Sequence, residues 1–469
     1  VLWGVLALAG VGCSAEAPSP EEAQDEADEA AIAGVAAADP SATLATRAVL
    51  ANLRSFDLKS SSAWDRRVLF GQQEYDTSNR AAHGLGKVAS DVEQVSGKQP
   101  GLVSYELSSA YPGSTSVFDR AGFAAGRPAL RELILDKRRR GILTSLVWHL
   151  RCPKARSTLP DKYAPADCPA DYTMAELLER KPDGSRGAHF DEWKGMLDEL
   201  AELLWSLKDD RGALAPVLLR PFHEFTGEWF WWGRSNTPET YAAVWRHMVT
   251  YLREGRGLHN VLWVFCPAAP TERHLGGYER YYPGDAFVDV VSFDRYDHSS
   301  SFAAGFADDL DAVGGFARAH GKVAAVAEVG RDLVGMPRSP TWFTRSLLAP
   351  LKTRSFGYVA LWRNAPWEKF APEPGDAEIA SDFKDMTSDE AVLLAGKHDL
   401  YRPLHVAAPS LEIGPGRRKV RSDRAVTRST EPIEPSTGSK RERRGRRLYE
   451  QKGPHVDDRH HLRELRRDA

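Results

Sequence analysis

Four cysteines are all that 469 residues contain. None stands at a Cys/His spacing that would build a zinc site, so neither metal nor other cofactor is expected. No charge sign dominates: 62 Lys and Arg face 65 Asp and Glu, a net of −3, which excludes a chain that binds nucleic acid over its whole surface. No strand-like run leads into a Gly-rich phosphate turn, so a dinucleotide-binding sheet is disfavoured. The apolar run Val1–Gly12 falls short of the roughly 20 residues a membrane-spanning helix needs.

That run instead reads as the apolar part of a signal peptide. Gly10-Val11-Gly12-Cys13 resembles a bacterial lipoprotein cleavage box, with Gly where Leu is usual three places before the Cys, so Cys13 is a candidate for lipidation. Residues 14–45, rich in Ala, Glu, Asp and Pro, suit a flexible acidic spacer. Secretion or attachment to a bacterial envelope follows, with a membrane contacted only through the lipid anchor. An extracytoplasmic location also allows a disulfide between Cys152 and Cys168, across a polar loop. Cys266, in an apolar run, reads as an inert core thiol. The near-neutral total hides an uneven distribution: from Glu412 onward there are seventeen Lys or Arg against ten Asp or Glu. Blocks such as "KRERRGRR" bury too little apolar surface to offset chain entropy, so residues 409–469 are expected as a disordered basic tail. A tail-driven nucleic-acid binder is the residual alternative, but no nucleic-acid partner is expected.

Between Arg67 and Arg363, eight short apolar runs alternate with longer amphipathic segments. The runs are "RVLFGQ", "GLVSYEL", "GILTSLVWHL", "APVLLRPFHE", "NVLWVFCP", "VDVVSFDRYD", "KVAAVAEVG" and "FGYVALWR". Most are continuously apolar, as strands of a parallel sheet buried on both faces must be. Between them, Trp193, Met196, Leu197, Leu200, Leu203, Leu204 and Leu207 recur at helical spacing. Thr237 and Pro238 form a helix start ahead of the stripe Tyr241, Val244, Trp245, Met248 and Leu252. Phe302, Phe306, Leu310, Val313 and Phe316 repeat the pattern until Gly321 ends it. Eight strand–helix repeats in about 300 residues predict a single α/β domain, a (β/α)8 TIM barrel over residues 46–408.

In such a barrel, functional groups gather at the C-terminal ends of the strands. The ends here carry Gln72 and Gln73, His149, His223 and Glu224, Tyr296 and Asp297, Glu328, and Trp362 with Arg363. One Glu after a buried run is usually a paired structural carboxylate. Two facing one cleft, Glu224 on the fourth strand and Glu328 on the seventh, are what cleavage of a glycosidic bond requires: one delivers a proton, the other attacks or activates water. Their separation, which decides between retention and inversion, is not encoded in the sequence. Asp294 and Arg295 are candidates for a structural ion pair, and Trp231 and Trp232 for core residues. His223 and Glu224 are adjacent, so both reach the cleft only if the backbone departs from regular alternation.

The stretch "RPFHEFTGEWFWWG" resembles glycoside hydrolase family 26, and "VSFDRYD", "AVAEVG" and "VALWR" continue the resemblance in order. It covers about Arg67 to Tyr401 and includes "SDFKDMTSDEAVLLAGKHDLY", which resembles the family's closing helix. The resemblance implies a monomeric, retaining endo-β-1,4-mannanase with Glu224 as acid/base and Glu328 as nucleophile. It implies further that His149 and His223 line the subsite of the reacting sugar, that Tyr296 bonds the nucleophile, and that Trp362 floors that subsite. Trp229, with Phe230 or Trp231 as further candidates, would border the leaving-group side, and Arg363 would touch a more distant sugar. A β-linked polysaccharide is the expected partner: mannan first, with mixed-linkage β-glucan or β-1,3-xylan as alternatives. A non-catalytic glycan-binding barrel is the reading from a different class.

Overall fold

Each of the eight apolar runs forms a strand. A computed structural model describes residues 19–56, 67–73, 90–107, 120–150, 168, 173–233, 236–272, 277–298, 301–364, 369–396 and 399–403. Val1–Gly12, Cys13, Cys152 and the basic tail lie outside these residues. The strands are β1 (Val68–Gln73), β2 (Leu102–Glu106), β3 (Leu143–Trp148), β4 (Val217–Pro221), β5 (Val261–Phe265), β6 (Val290–Asp297), β7 (Val323–Arg331) and β8 (Tyr358–Leu361). Every neighbouring pair is parallel. β8 and β2 both flank β1, with Leu69 opposite Tyr358 and Gly71 opposite Leu102, so the sheet closes on itself. The product is the expected (β/α)8 barrel.

Alternation along each strand divides the core in two. Inward-facing Leu102, Leu143, Leu218, Leu262, Val290 and Val323 fill the barrel interior. Outward residues such as Val103, Leu146, Leu219, Trp263 and Val291 pack with the surrounding helices in a second, larger cluster. The helix Phe190–Ser206 buries its whole predicted stripe there. The helix Pro238–Thr250 starts on Thr237, whose hydroxyl accepts from Thr240 N at 3.2 Å. Gly321, at φ 63°, follows the helix Phe302–Ala319 in the left-handed conformation that a side chain would resist.

Two expectations change. The segment read as a flexible spacer holds the helix Pro20–Ala31, opened by a capping box between Ser19 and Glu22. Its Ala and Glu content, taken as spacer composition, also favours a helix. Buried Ala38 donates its N–H to buried Asp289 at 2.7 Å, and Thr43 N bonds His259 O at 3.0 Å, which tie this stretch to the barrel. The closing helix runs only from Ala377 to Ser388; a short strand, β9 (Val392–Leu393), then pairs with β1 outside the closed ring. No helix among the described residues is long and apolar enough to cross a membrane.

Candidate active site

The fourth strand ends in a strained turn. After Pro221, Phe222 and Glu224 adopt φ of 48° and 51°, which non-glycine residues rarely take. The strain persists because each carbonyl of the turn has a partner. Tyr241 Oη donates to Phe222 O at 3.1 Å, Trp232 Nε1 to His223 O at 2.8 Å, and Gly227 N to Glu224 O at 2.8 Å. Glu224 N in turn bonds O of Cys266, just past the end of neighbouring β5, at 2.7 Å. Trp231 and Trp232 are fully buried, as expected, and act as the scaffold of the turn. This turn, rather than a bulge within β4, breaks the alternation at His223 and Glu224.

The bulge lies on β7. Phe293 pairs with Val326 and Asp294 with Glu328, so Ala327 is an extra residue with no counterpart on β6. Ala325 and Ala327 face the barrel interior, whereas Val326 and Val329 pack in the outer cluster. The extra residue therefore shifts the alternation by one and turns Glu328 inward. With the same residues in regular alternation, and no bulge, Glu328 would face the helices.

One carboxylate oxygen each from Glu224, Asp294 and Glu328 lies within 4.8 Å of the others, all three residues being buried. Arg220, inward-facing on β4 and fully buried, offsets this negative charge. Its Nη1 donates to Asp294 Oδ2 at 2.6 Å and its Nη2 to Glu328 Oε1. The second oxygen of Glu328 accepts from Tyr296 Oη at 2.6 Å. The Cys266 thiol, free and buried, donates to Asp294 Oδ1 at 3.2 Å, so it belongs to this network as well as to the core. The expected Asp294–Arg295 pair does not form. Arg295 points outward to Asp309 (2.5 Å) and to Glu272, because consecutive residues of a strand face opposite sides.

The two glutamates sit in different surroundings. Glu224, 8 % exposed, accepts a hydrogen bond from Trp229 Nε1 at 2.6 Å. Burial, then the nearby charge of Glu328, push its pKa up to about 7, against the pull of Trp229 and Arg220. Glu328 is held at both oxygens, by a guanidinium and a phenol. Burial and the facing carboxylates push the Tyr296 hydroxyl well above its ordinary value, so it remains a donor.

The other expected residues surround this pair. The rings of His149 and His223 meet edge to face at 4.4 Å, and Phe230 packs on both. Trp362 meets Tyr296 edge to face at 6.1 Å, and the Arg363 guanidinium lies 5.5 Å from the Trp362 ring centre. Cys168 is disulfide-bonded; Cys152, its expected partner, is outside the described residues. Sequence reasoning missed Arg220 and Glu106. A charged residue inside the buried run "VLLRP" was the available signal for Arg220. Glu106 ends β2, buried against His149.

An eight-stranded α/β barrel with paired carboxylates, one after its fourth strand and one on its seventh, defines the class. Comparison with known proteins gives the family: residues 38–333 match the model of glycosyl hydrolase family 26, and the chain belongs to that family. It is 31 % identical over 305 residues to a mannan endo-1,4-beta-mannosidase of Bifidobacterium adolescentis, covering 63 % of this chain and 28 % of that protein. A β-mannanase structure from Bacteroides ovatus is similar with a TM-score of 0.61 and 31 % identity over 77 % of this chain and 98 % of that one. GH26C from Muricauda sp. MAR_2010_75 is similar with a TM-score of 0.66 and 26 % identity, over 81 % and 99 %. The chain spans between 28 % and 51 % of the length of the first curated relatives it matches.

Proposed function

We propose that the protein is a retaining, endo-acting glycoside hydrolase that cleaves β-1,4-mannosidic bonds in mannans. The carboxylate pair carries this reading. Oxygens within 4.8 Å leave no room for the water that an inverting enzyme places between groups roughly 6.5–9.5 Å apart, and suit the roughly 5–5.5 Å of a retaining one. Glu224, with its pKa near 7, holds a proton at neutral pH and delivers it to the glycosidic oxygen as the bond to the anomeric carbon breaks. Glu328 attacks that carbon and forms a glycosyl ester. Glu224, now ionised, takes a proton from water; the resulting attack on the anomeric carbon releases the sugar and regenerates Glu328. Arg220 and Tyr296 orient the nucleophile and disperse its charge. The mannan preference is supported by the mannanases among the relatives. Secretion, with or without a lipid on Cys13, is supported by the apolar segment before it and by the disulfide at Cys168.

Reducing-sugar release from mannan, lichenan and β-1,3-xylan, measured side by side, tests the substrate. Activity on lichenan with none on mannan would refute the preference. Glu328→Ala should abolish turnover while mannooligosaccharide binding survives, and Glu224→Ala should most slow substrates with poor leaving groups. Hydrolysis by either variant at the wild-type rate sinks the assignment, and binding without turnover in the wild type would identify a binding-only barrel.

A further inference from the structure

Glu106 is buried at the end of β2, and its two oxygens receive two donors from one residue. Oε1 accepts the backbone N–H of His149 at 3.0 Å, and Oε2 bonds His149 Nδ1. A carboxylate is an acceptor only, so the proton of that second bond belongs to Nδ1. His149 Nε2 then lies 3.2 Å from His223 Nε2. Two imidazole nitrogens at that distance hold one proton between them. Burial above all, with the charge of Arg220, keeps His223 neutral. With Nδ1 of a neutral His149 protonated, its Nε2 is a bare acceptor, so His223 donates from Nε2 and leaves its own Nδ1 without a proton. His223 Nδ1 is indeed buried with no hydrogen-bond partner. A lone pair is better tolerated there than an orphaned N–H.

We propose that Glu106 is a positioning residue that fixes the order of protons in the His149–His223 pair and thereby the seat of Glu224. The chain of contact is direct. Glu106 orients His149, His149 engages the ring of His223, and His223 is the residue of the strained turn that precedes Glu224. In this order each nitrogen of His149 is occupied, so His149 meets a ligand as a ring wall rather than as a hydrogen-bonding group.

The substitution Glu106→Gln tests this because it preserves shape and changes one donor. The backbone N–H of His149 can only donate, so it keeps the amide oxygen. The amide NH2 then faces Nδ1, which must lose its proton. Both tautomers invert: His149 becomes protonated on Nε2, and His223 on Nδ1. Histidine side-chain 15N spectra at neutral pH read this directly, with His149→Asn and His223→Asn assigning the signals. The expected wild-type spectrum has Nδ1–H on His149 and Nε2–H on His223, and E106Q exchanges them. A wild-type His149 protonated on Nε2, or an unchanged spectrum in E106Q, overturns the proposal. The kinetic consequence rests on the glycosidase reading: kcat on mannan should fall about 10- to 100-fold with KM nearly constant. Inverted tautomers with an unchanged kcat would overturn the positioning role. A wild type inactive on every β-glycan would refute the glycosidase reading, while its own spectrum still decides the proton order, as it does should E106Q fail to fold.

Discussion

Replacing Trp229 by Phe removes one hydrogen atom that matters, the indole N–H donated to Glu224 Oε2 at 2.6 Å, and leaves an aromatic ring in place. That bond favours the ionised carboxylate and pulls its pKa down against burial and Glu328. A hydrogen bond to a charged group contributes about 1.5–3 kcal/mol, but the protonated acid still accepts through its carbonyl oxygen at about half that strength. Only the difference, about 1 kcal/mol, acts on the equilibrium; at 1.36 kcal/mol per pH unit the shift is about 0.7. The sign is upward, because loss of the donor destabilises the ionised form. In the proposed mechanism Glu224 must be protonated to start the reaction, so its pKa in the free enzyme sets the alkaline limb of kcat/KM. The limb, expected near 7 in the wild type, should move up by about 0.7 in W229F. The assay is kcat/KM on a soluble mannooligosaccharide between pH 5 and 10. A limb that stays in place or moves down refutes the role given to Trp229, whatever happens to the absolute rate.

Tyr296→Phe deletes the hydroxyl held 2.6 Å from Glu328 Oε2. A loss of about 1.5–3 kcal/mol at the proposed nucleophile should lower kcat by about 10- to 100-fold, and single-turnover kinetics within twofold of wild type would count against it. Arg220→Met leaves Asp294 and Glu328 buried without their cation, which should cost about 3–5 kcal/mol in denaturant unfolding; a cost below about 1 kcal/mol would show that the carboxylates have another counter-charge.

The barrel was legible because most strands are continuous apolar runs, buried on both faces, between helices with clear stripes. The two-residue β9 was not, since two residues carry no period. Both carboxylates could be found because they end such runs. Their partners were harder, for a geometrical reason. Adjacency in sequence suggested Asp294 with Arg295, but neighbours on a strand point to opposite faces, and the true partner of Asp294 is Arg220, two strands away in the barrel. Glu106 escaped notice similarly: a lone acid after "VSY" has no visible purpose until His149 is brought beside it from the next strand.

The extra residue at Ala327 divides the seventh strand into two stretches with different duties. Up to Ala327 the chain is in phase with the hydrophobic interior; after it, Glu328 is in phase with the other buried carboxylates, Glu224 and Asp294. The alanine contributes no reactive group, yet the doubled inward step from Ala327 to Glu328 aims the proposed nucleophile. Were the same residues paired in plain alternation, Glu328 would turn toward the helices and Val329 toward the cleft. Deleting Ala327 would instead place Glu328 directly after outward-facing Val326, in regular alternation and still inward. The direction of this carboxylate thus depends on how the strand pairs with β6 as much as on which residues it holds.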